Sequence, residues 1–534
     1  MKRTGLLLLI LLGTLNLWAQ NFKYSYSDKV PYNYYKNTVS SGRTKDFIFQ
    51  VRYNYDYKGA FVNVFDATSL KFVKTQEFIP NANNNLSPMG SIRTLFVKAL
   101  YMKDGFILFF ENINMKTKKR TLLAQKFNNN ADLVGGIVEL DQKDTDFQFY
   151  CSYEVLQFND NTRFMVLNIS PIAETKERFE ENTLGLDLYY SPLSFDNTFE
   201  CKIFDFDLKK IKTLNPTLPY KKYLMAEVYE VYLGYNDNLY MLNKFSILKE
   251  EAPKGQPDYF MSLLTINTNT SEVAENKINF PSKCIEDITL LVDRNSKNIT
   301  CAGLYSNIKP NKNRGDYING FFNITFDATN QQIVSQGILA MENSIIAGLT
   351  GKSLDKVKDN FGISKQCKIR SLVKRYDGSY TLLSELYDMS NEKHVKKEIL
   401  ITCFSSKGNI STVNYIPKNQ IELQSTISFT TCYNDKKLFV IYNDNSDNLN
   451  NNTKNITKMS DVEKAMLVSV EINDDGTYTK TKIQDNATKN LRPLPSLGTM
   501  VGNGEFVIPV HEPQSYSATF GNTNLKGFIK IDLN

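Results

Sequence analysis

Tryptophan occurs once in these 534 residues, at Trp18, and histidine only twice, at His394 and His511. So little imidazole argues against a His-rich zinc or iron centre. A Ser-His-Asp triad would have to recruit one of the two, and no Gly-x-Ser-x-Gly elbow is present. A phosphate-binding glycine loop and a dinucleotide fingerprint are also missing. No catalytic residue, metal ligand or cofactor is therefore assigned from the sequence. Charge of one sign is scarce too: the formal net charge is +6, and the densest basic run, Met115–Arg120, lies between two apolar runs. A nucleic-acid footprint needs cations gathered on one face, and no such cluster is visible.

No apolar run reaches the roughly 18–20 residues that span a bilayer. The longest, "GLLLLILLG" from Gly5, follows Lys2 and Arg3 and precedes polar "TLNLWAQ". This order reads as a secretory signal over residues 1–20, cleaved after Ala19 or Gln20. No cysteine near the cut could carry a bacterial lipoprotein's lipid. Loss of Lys2 and Arg3 lowers the formal charge from +6 to +4. The expectation is a protein exported to the periplasm, the cell surface or the medium, with no transmembrane segment. The seven cysteines, Cys151, Cys201, Cys284, Cys301, Cys367, Cys403 and Cys432, form no clustered framework, and several sit inside apolar runs. Mostly free, buried thiols are expected.

What the chain does contain is repetition. "MKDGFILFFE" from Met102 has cousins in "FNDNTRFMVLN" from Phe158, "GYNDNLYMLNK" from Gly234 and "RYDGSYTLLSE" from Arg375, eight copies in all. Each joins Asp, Asn or Gly, which tolerate positive φ in tight turns, to a β-branched and aromatic run suited to a strand. A second phrase follows each first one: a strand ending in Asp, Asn or Ser, a short polar turn, then another strand. "FVNVFDATSLKFVKTQEF" from Phe61 and "FFNITFDATNQQIVSQGI" from Phe321 share Phe-Asp-Ala-Thr intact. The period is about 60 residues, and two hairpins per period make four antiparallel strands.

This pattern resembles the β-propeller superfold, without the Trp-Asp ending of WD repeats or the Gly-Gly doublet of kelch repeats. The resemblance implies an all-β fold of eight four-stranded blades over residues 21–534, with seven blades or separate β-sandwiches as alternatives. The last copy, "GFIKIDLN" from Gly527, holds one strand, and "FKYSYSD" from Phe22 is an orphan. Pairing the two would close the ring and remove its open edges. Longer insertions are expected at about 170–198 and 341–366. Within the second, "SLDKVKDNFG" reads as a short helix capped by Ser353 and ended by Gly362, with Leu354, Val357 and Phe361 on one side. "NDNSDNLNNNTKN" from Asn443 reads as a polar excursion.

His394, in "NEKHVKKE", reads as a solvated turn residue. His511, ahead of Glu512, reads as the end of a hairpin strand, with the ring's central opening as the other position. Asp444, Asn445, Ser446 and Asp447 supply oxygens but lack an EF-hand's glycine and closing glutamate. "INDDGTYT" from Ile472 matches a sialidase Asp-box at Asp474 and Gly476, and departs from it at Ile472, Tyr478 and Thr479. A plain turn is expected there. Glu111 and Glu385 hold similar places in their blades and read as scaffold. By analogy with other propellers, the expected function is binding or scaffolding: one ring face recognises a protein, peptide or glycan, and no enzyme activity is favoured. The alternative is a polysaccharide hydrolase or lyase with carboxylates at the channel mouth. A third reading is a structural subunit of an envelope complex.

Overall fold

A computed structural model describes residues 23–533, apart from 33–35, 55–58, 81–91, 115, 145–152, 169–192, 196–199, 220–225, 235, 248–252, 294–297, 358–360, 391–392, 422–425, 435, 452–455, 503 and 512–523. Eight antiparallel sheets follow one another along the chain as the blades of a β-propeller. Blade 1 comprises Lys36–Arg43, Phe47–Asn54, Gly59–Asp66 and Phe72–Phe78, from inner to outer strand. Blade 2 comprises Ile92–Met102, Gly105–Asn114, Lys119–Asn128 and Leu133–Asp144. Blade 3 is built from Tyr153–Gln157, Arg163–Asn168, Cys201–Asp205 and Lys210–Leu214. Blade 4 is built from Ala226–Leu233, Asn238–Ser246, Tyr259–Asn267 and Val273–Ile278. Lys283–Val292, Asn298–Asn307, Gly320–Asp327 and Ile333–Ala340 form blade 5. Cys367–Lys374, Tyr380–Ser390, Lys393–Phe404 and Ile410–Ile416 form blade 6. Blade 7 takes Phe429–Tyr433, Leu438–Asp444, Met466–Ile472 and Tyr478–Asp485.

Blade 8 joins the two ends of the chain. Thr499–Gly502, Glu505–His511 and Asn524–Asp532 come from the C-terminal side, and Lys23–Tyr26 supplies the outer strand. Lys23 pairs with Asp532 and Tyr26 with Ile529, antiparallel. The expected closure is therefore present, and the count is eight rather than seven. Face-to-face packing of neighbouring sheets buries the core as one apolar cluster per blade boundary. Phe106, Phe110 and Phe127 of blade 2 meet Phe49 and Phe78 of blade 1, for example. Ile48, Phe65 and Leu70 of blade 1 meet Val507 and Phe528 of blade 8, which completes the circle. The six cysteines among the described residues are free and buried in these layers; Cys151 lies outside them.

The repeated phrases are the two hairpin turns of each blade. At the first turn, Asn161, Asp237 and Gly378 have φ of 54°, 59° and 83°, which is why Asn, Asp and Gly recur there. At the second, the carboxylate of Asp66 accepts the amides of Thr68 and Ser69 at 3.1 and 2.7 Å. Asp327 does the same for Thr329 and Asn330, at 2.7 and 3.3 Å. These Asx turns account for the duplicated Phe-Asp-Ala-Thr.

The helix in the 341–366 segment departs from expectation. It spans Asn343–Thr350, ahead of the predicted stretch, and ends at Gly351 with φ 76°. Among the described residues of the predicted stretch, Leu354–Lys356 forms a single 3-10 turn and Ser353 makes no side-chain cap; 358–360 lie outside them. Leu354 is exposed, whereas Ile346 and Val357 enter the core between blades 5 and 6. Burial of Ile346 decided the position, not the capping signal at Ser353. His394 is likewise in a strand, paired with Met389, rather than in a turn. No helix among the described residues is long and apolar enough to cross a membrane.

Candidate functional site

Chain direction divides the ring into two unlike faces. Turns joining first to second and third to fourth strands lie on one face, and none exceeds five residues. Connections from second to third strands, and from blade to blade, lie on the other. That face carries 308–319, 445–465 and the connections that hold the two expected insertions, between Asn168 and Cys201 and between Ala340 and Cys367. Most of the 170–198 insertion falls outside the described residues. Its Leu193–Phe195 strand pairs with Ala226–Val228 on the channel edge of blade 4, as a fifth strand.

Toward that same face, the inner strands carry β-bulges. The shifts fall at Thr38/Ser40, Phe96/Lys98, Val228/Glu230, Ile285/Asp287 and Ile369/Ser371. A bulge re-aims a side chain at a sheet edge, here at half-buried Val39, Val97, Tyr229, Glu286 and Arg370. Val39 and Val97 pack against the cores between blades 1 and 2 and between blades 2 and 3, whereas blades 4 to 6 carry a tyrosine, an acid and a guanidinium at these positions.

The residues beside these bulges staple one blade to the next. Glu230 accepts Thr289 Oγ1 at 2.8 Å and the Leu290 amide at 2.7 Å. Asp287 accepts the Ile369 amide at 2.7 Å and Lys368 Nζ at 3.2 Å. Glu286 accepts Lys365 Nζ at 2.7 Å and also Ser306 Oγ. Burial, reinforced by the neighbouring Asp287 charge, pushes the Glu230 carboxyl up to about 7. Burial raises Asp287 as well, against the opposing pull of Lys368. Tyr229, Tyr232 and Tyr259 pack against the same blade 4–5 core, and Tyr259 donates to the Ile285 carbonyl at 2.6 Å. A carboxyl that is half neutral near pH 7 can give or take a proton.

Behind this arc, Arg370 donates to Glu385 Oε2 at 3.0 and 2.7 Å. Lys418, fully buried, donates to Glu385 Oε1 at 2.6 Å, and Ser428 donates to Oε2 at 2.7 Å. Burial opposes the Glu385 charge, but Lys418 and Arg370 outweigh it and hold the carboxyl below its ordinary value. The chain continues through Gln420, Asn443, Asn486 and Gln484 to Tyr26 in the closing strand, whose hydroxyl donates to Gln484 at 2.6 Å. Polar contacts therefore run from the inner wall of blade 6 to the ring closure.

Glu111 and Glu385 do hold matching places, in the second strands of blades 2 and 6. Glu111 is fully buried and accepts Arg120 at 2.9 Å, so both glutamates are scaffold. Asp444 is buried, accepting Lys480 Nζ at 3.1 Å and Asn448 Nδ2 at 2.8 Å. Asn445 caps the 3-10 turn Ser446–Asn448. Asp474 sits in a hairpin turn closed by Gly476 and binds Arg375 of blade 6 at 2.7 Å. His511 ends the second strand of blade 8, between Arg492 and Lys526, away from the channel edge; Glu512 lies outside the described residues. Sequence reasoning missed Glu230, Glu286, Asp287 and Arg370. Their one signal is a charged residue in an apolar strand, shortly before the turn phrase, in three successive blades.

No protein-family model matches this chain, and no curated protein sequence matches it. Among solved structures, it is similar to the Dos1 propeller at 7% identity and a TM-score of 0.48, over 95% of this chain and 96% of that one. A prolyl endopeptidase matches at 8% identity and a TM-score of 0.40, over 90% of this chain; the chain spans 55% of that enzyme's length. The propeller domain of the Trilobed protease from Pyrococcus furiosus matches at 11% identity and a TM-score of 0.34, over 85% and 97% of the two chains.

Proposed function

We propose that the protein is exported, loses residues 1–20, and binds a protein, peptide or glycan with the face that carries the long connections. The observation that supports this reading is the asymmetry of the ring: every extended connection lies on one face, above the polar arc of blades 4 to 6. Rigid scaffolds carry recognition on such loops. The buried acids below already serve blade-to-blade hydrogen bonds, which favours binding over catalysis. The test is a glycan array and pull-down with the mature chain and two sets of substitutions. Arg314→Ala with Tyr317→Ala, on the loop face, is expected to abolish capture. Tyr376→Ala, on the turn face and 85% exposed, is expected to leave it intact. Loss with Tyr376→Ala alone would overturn the choice of face. N-terminal sequencing of the exported protein checks the cleavage after Ala19 or Gln20.

The pKa of Glu230 supports a second reading, a polysaccharide hydrolase or lyase. On that reading Glu230→Gln stops polysaccharide breakdown; if wild-type protein degrades none, the reading fails.

A further inference from the structure

Where the closing strand meets blade 7, the structure leaves a cleft of about 160 Å³. The strand register explains it. On the side of blade 8 that faces blade 7, Phe506 lies opposite Ile531 and Ile508 opposite Ile529, and these side chains fill the core. Two residues nearer the loop face, Val510 lies opposite Gly527, which has no side chain. Glycine is required there, because a Cβ would meet Ser27 Oγ at 2.7 Å and the Asp28 carbonyl oxygen at 2.9 Å. The core is therefore one side chain short at this end, and Tyr26, Leu491 and Val510 wall the gap.

Two cations, Lys29 and Lys489, line the same cleft, and no acid does. Lys489 ends the one-turn helix Asn486–Lys489 between blades 7 and 8. Asp485 caps that helix by accepting the Thr488 amide at 3.1 Å, and Asn490 stops it with φ 50°. Lys489 Nζ is held 5.6 Å from the centre of the Tyr26 ring, and no carboxylate among the described residues pairs with it. Nearby Asp28 accepts the Phe72 amide at 2.9 Å. Burial, with Tyr24 beside it, pushes the Tyr26 phenol up to about 12, so it brings no negative charge. We propose that this cleft binds a small organic anion, a carboxylate carried on one apolar ring. The ring lies against Tyr26, Leu491 and Val510, and the carboxylate faces Lys489 and Lys29. A cavity of ~150 Å³ is enough to take up a benzene ring. Tyr26 comes from the N-terminal strand and the other two walls from the C-terminal side, so the complete cleft exists only in the closed ring. The cleft stands apart from the polar arc of blades 4 to 6, and the proposal is independent of the binding proposed there.

The experiment is saturation-transfer NMR and thermal unfolding of the mature chain with phenylacetate as the probe, against phenylacetamide, which lacks the charge. Phenylacetate is expected to bind with a Kd on the order of 1 mM, in keeping with its small size. It is expected to raise the Tm, because it binds the closed ring and not the unfolded chain. Phenylacetamide is expected to bind about fivefold more weakly. Lys29→Gln with Lys489→Gln, both at exposed positions, is expected to weaken phenylacetate to the level of the amide with an unchanged circular dichroism spectrum. No saturation transfer at ~10 mM phenylacetate, equal binding of acid and amide to the wild type, or an unchanged Kd in the double variant would each overturn the proposal.

Discussion

Glu385 and Lys418 are both fully buried, 2.6 Å apart, with Arg370 and Ser428 completing the carboxylate's shell. Such a pair stabilises little relative to apolar residues of the same volume, yet breaking it strands a charge in the core. Lys418→Met is expected to cost about 3–5 kcal/mol in urea denaturation, and Lys418→Met with Glu385→Leu to recover most of that loss. Glu230 poses the opposite case, an acid whose folded form is pushed up to about 7 from 4.5. The folded protein then holds a proton that the unfolded chain releases between those values. Stability is full below pH 4.5 and falls as pH rises through 7, by at most on the order of 3 kcal/mol. Glu230→Gln is expected to flatten this slope; equal slopes in the two proteins would refute the assignment of the titration to Glu230.

Turns and strands were the legible part of the chain, because both obey local rules. Asp66 and Asp327 make the same Asx turn wherever they occur, and period-two alternation sets which side of a strand is buried. The helix was misplaced because capping signals at Ser353 competed with burial of Ile346, and burial depends on blades 5 and 6 being in place. The closing strand Lys23–Tyr26 was readable as an orphan, but its partner lies some five hundred residues away. A chain lacking Lys23–Tyr26 is expected to lose roughly 2–4 kcal/mol, from about four ladder hydrogen bonds. It should also aggregate on heating, seen by light scattering, because the Ile529–Asp532 part of the Asn524–Asp532 edge is then bare while Val30–Tyr32 still covers Asn524–Lys526. Retention of the wild-type Tm would show that the ring does not depend on this strand.

The ring as a whole follows from the repeat: similar sheets that cannot bury both faces alone must stack, and closure removes the last open face. Eight blades and two unlike faces are consequences of that closure combined with uneven connection lengths. The amino-acid order by itself determined the strands, the hairpin turns, the period and the pairing of the two ends, since each rests on neighbours a few positions apart or on a matching orphan. Only the tertiary structure decided that Glu230, Asp287 and Arg370 form one arc, and that Lys418 neutralises Glu385. Burial and charge environment are set by residues brought together from 33 to 82 positions apart, and no local pattern encodes them.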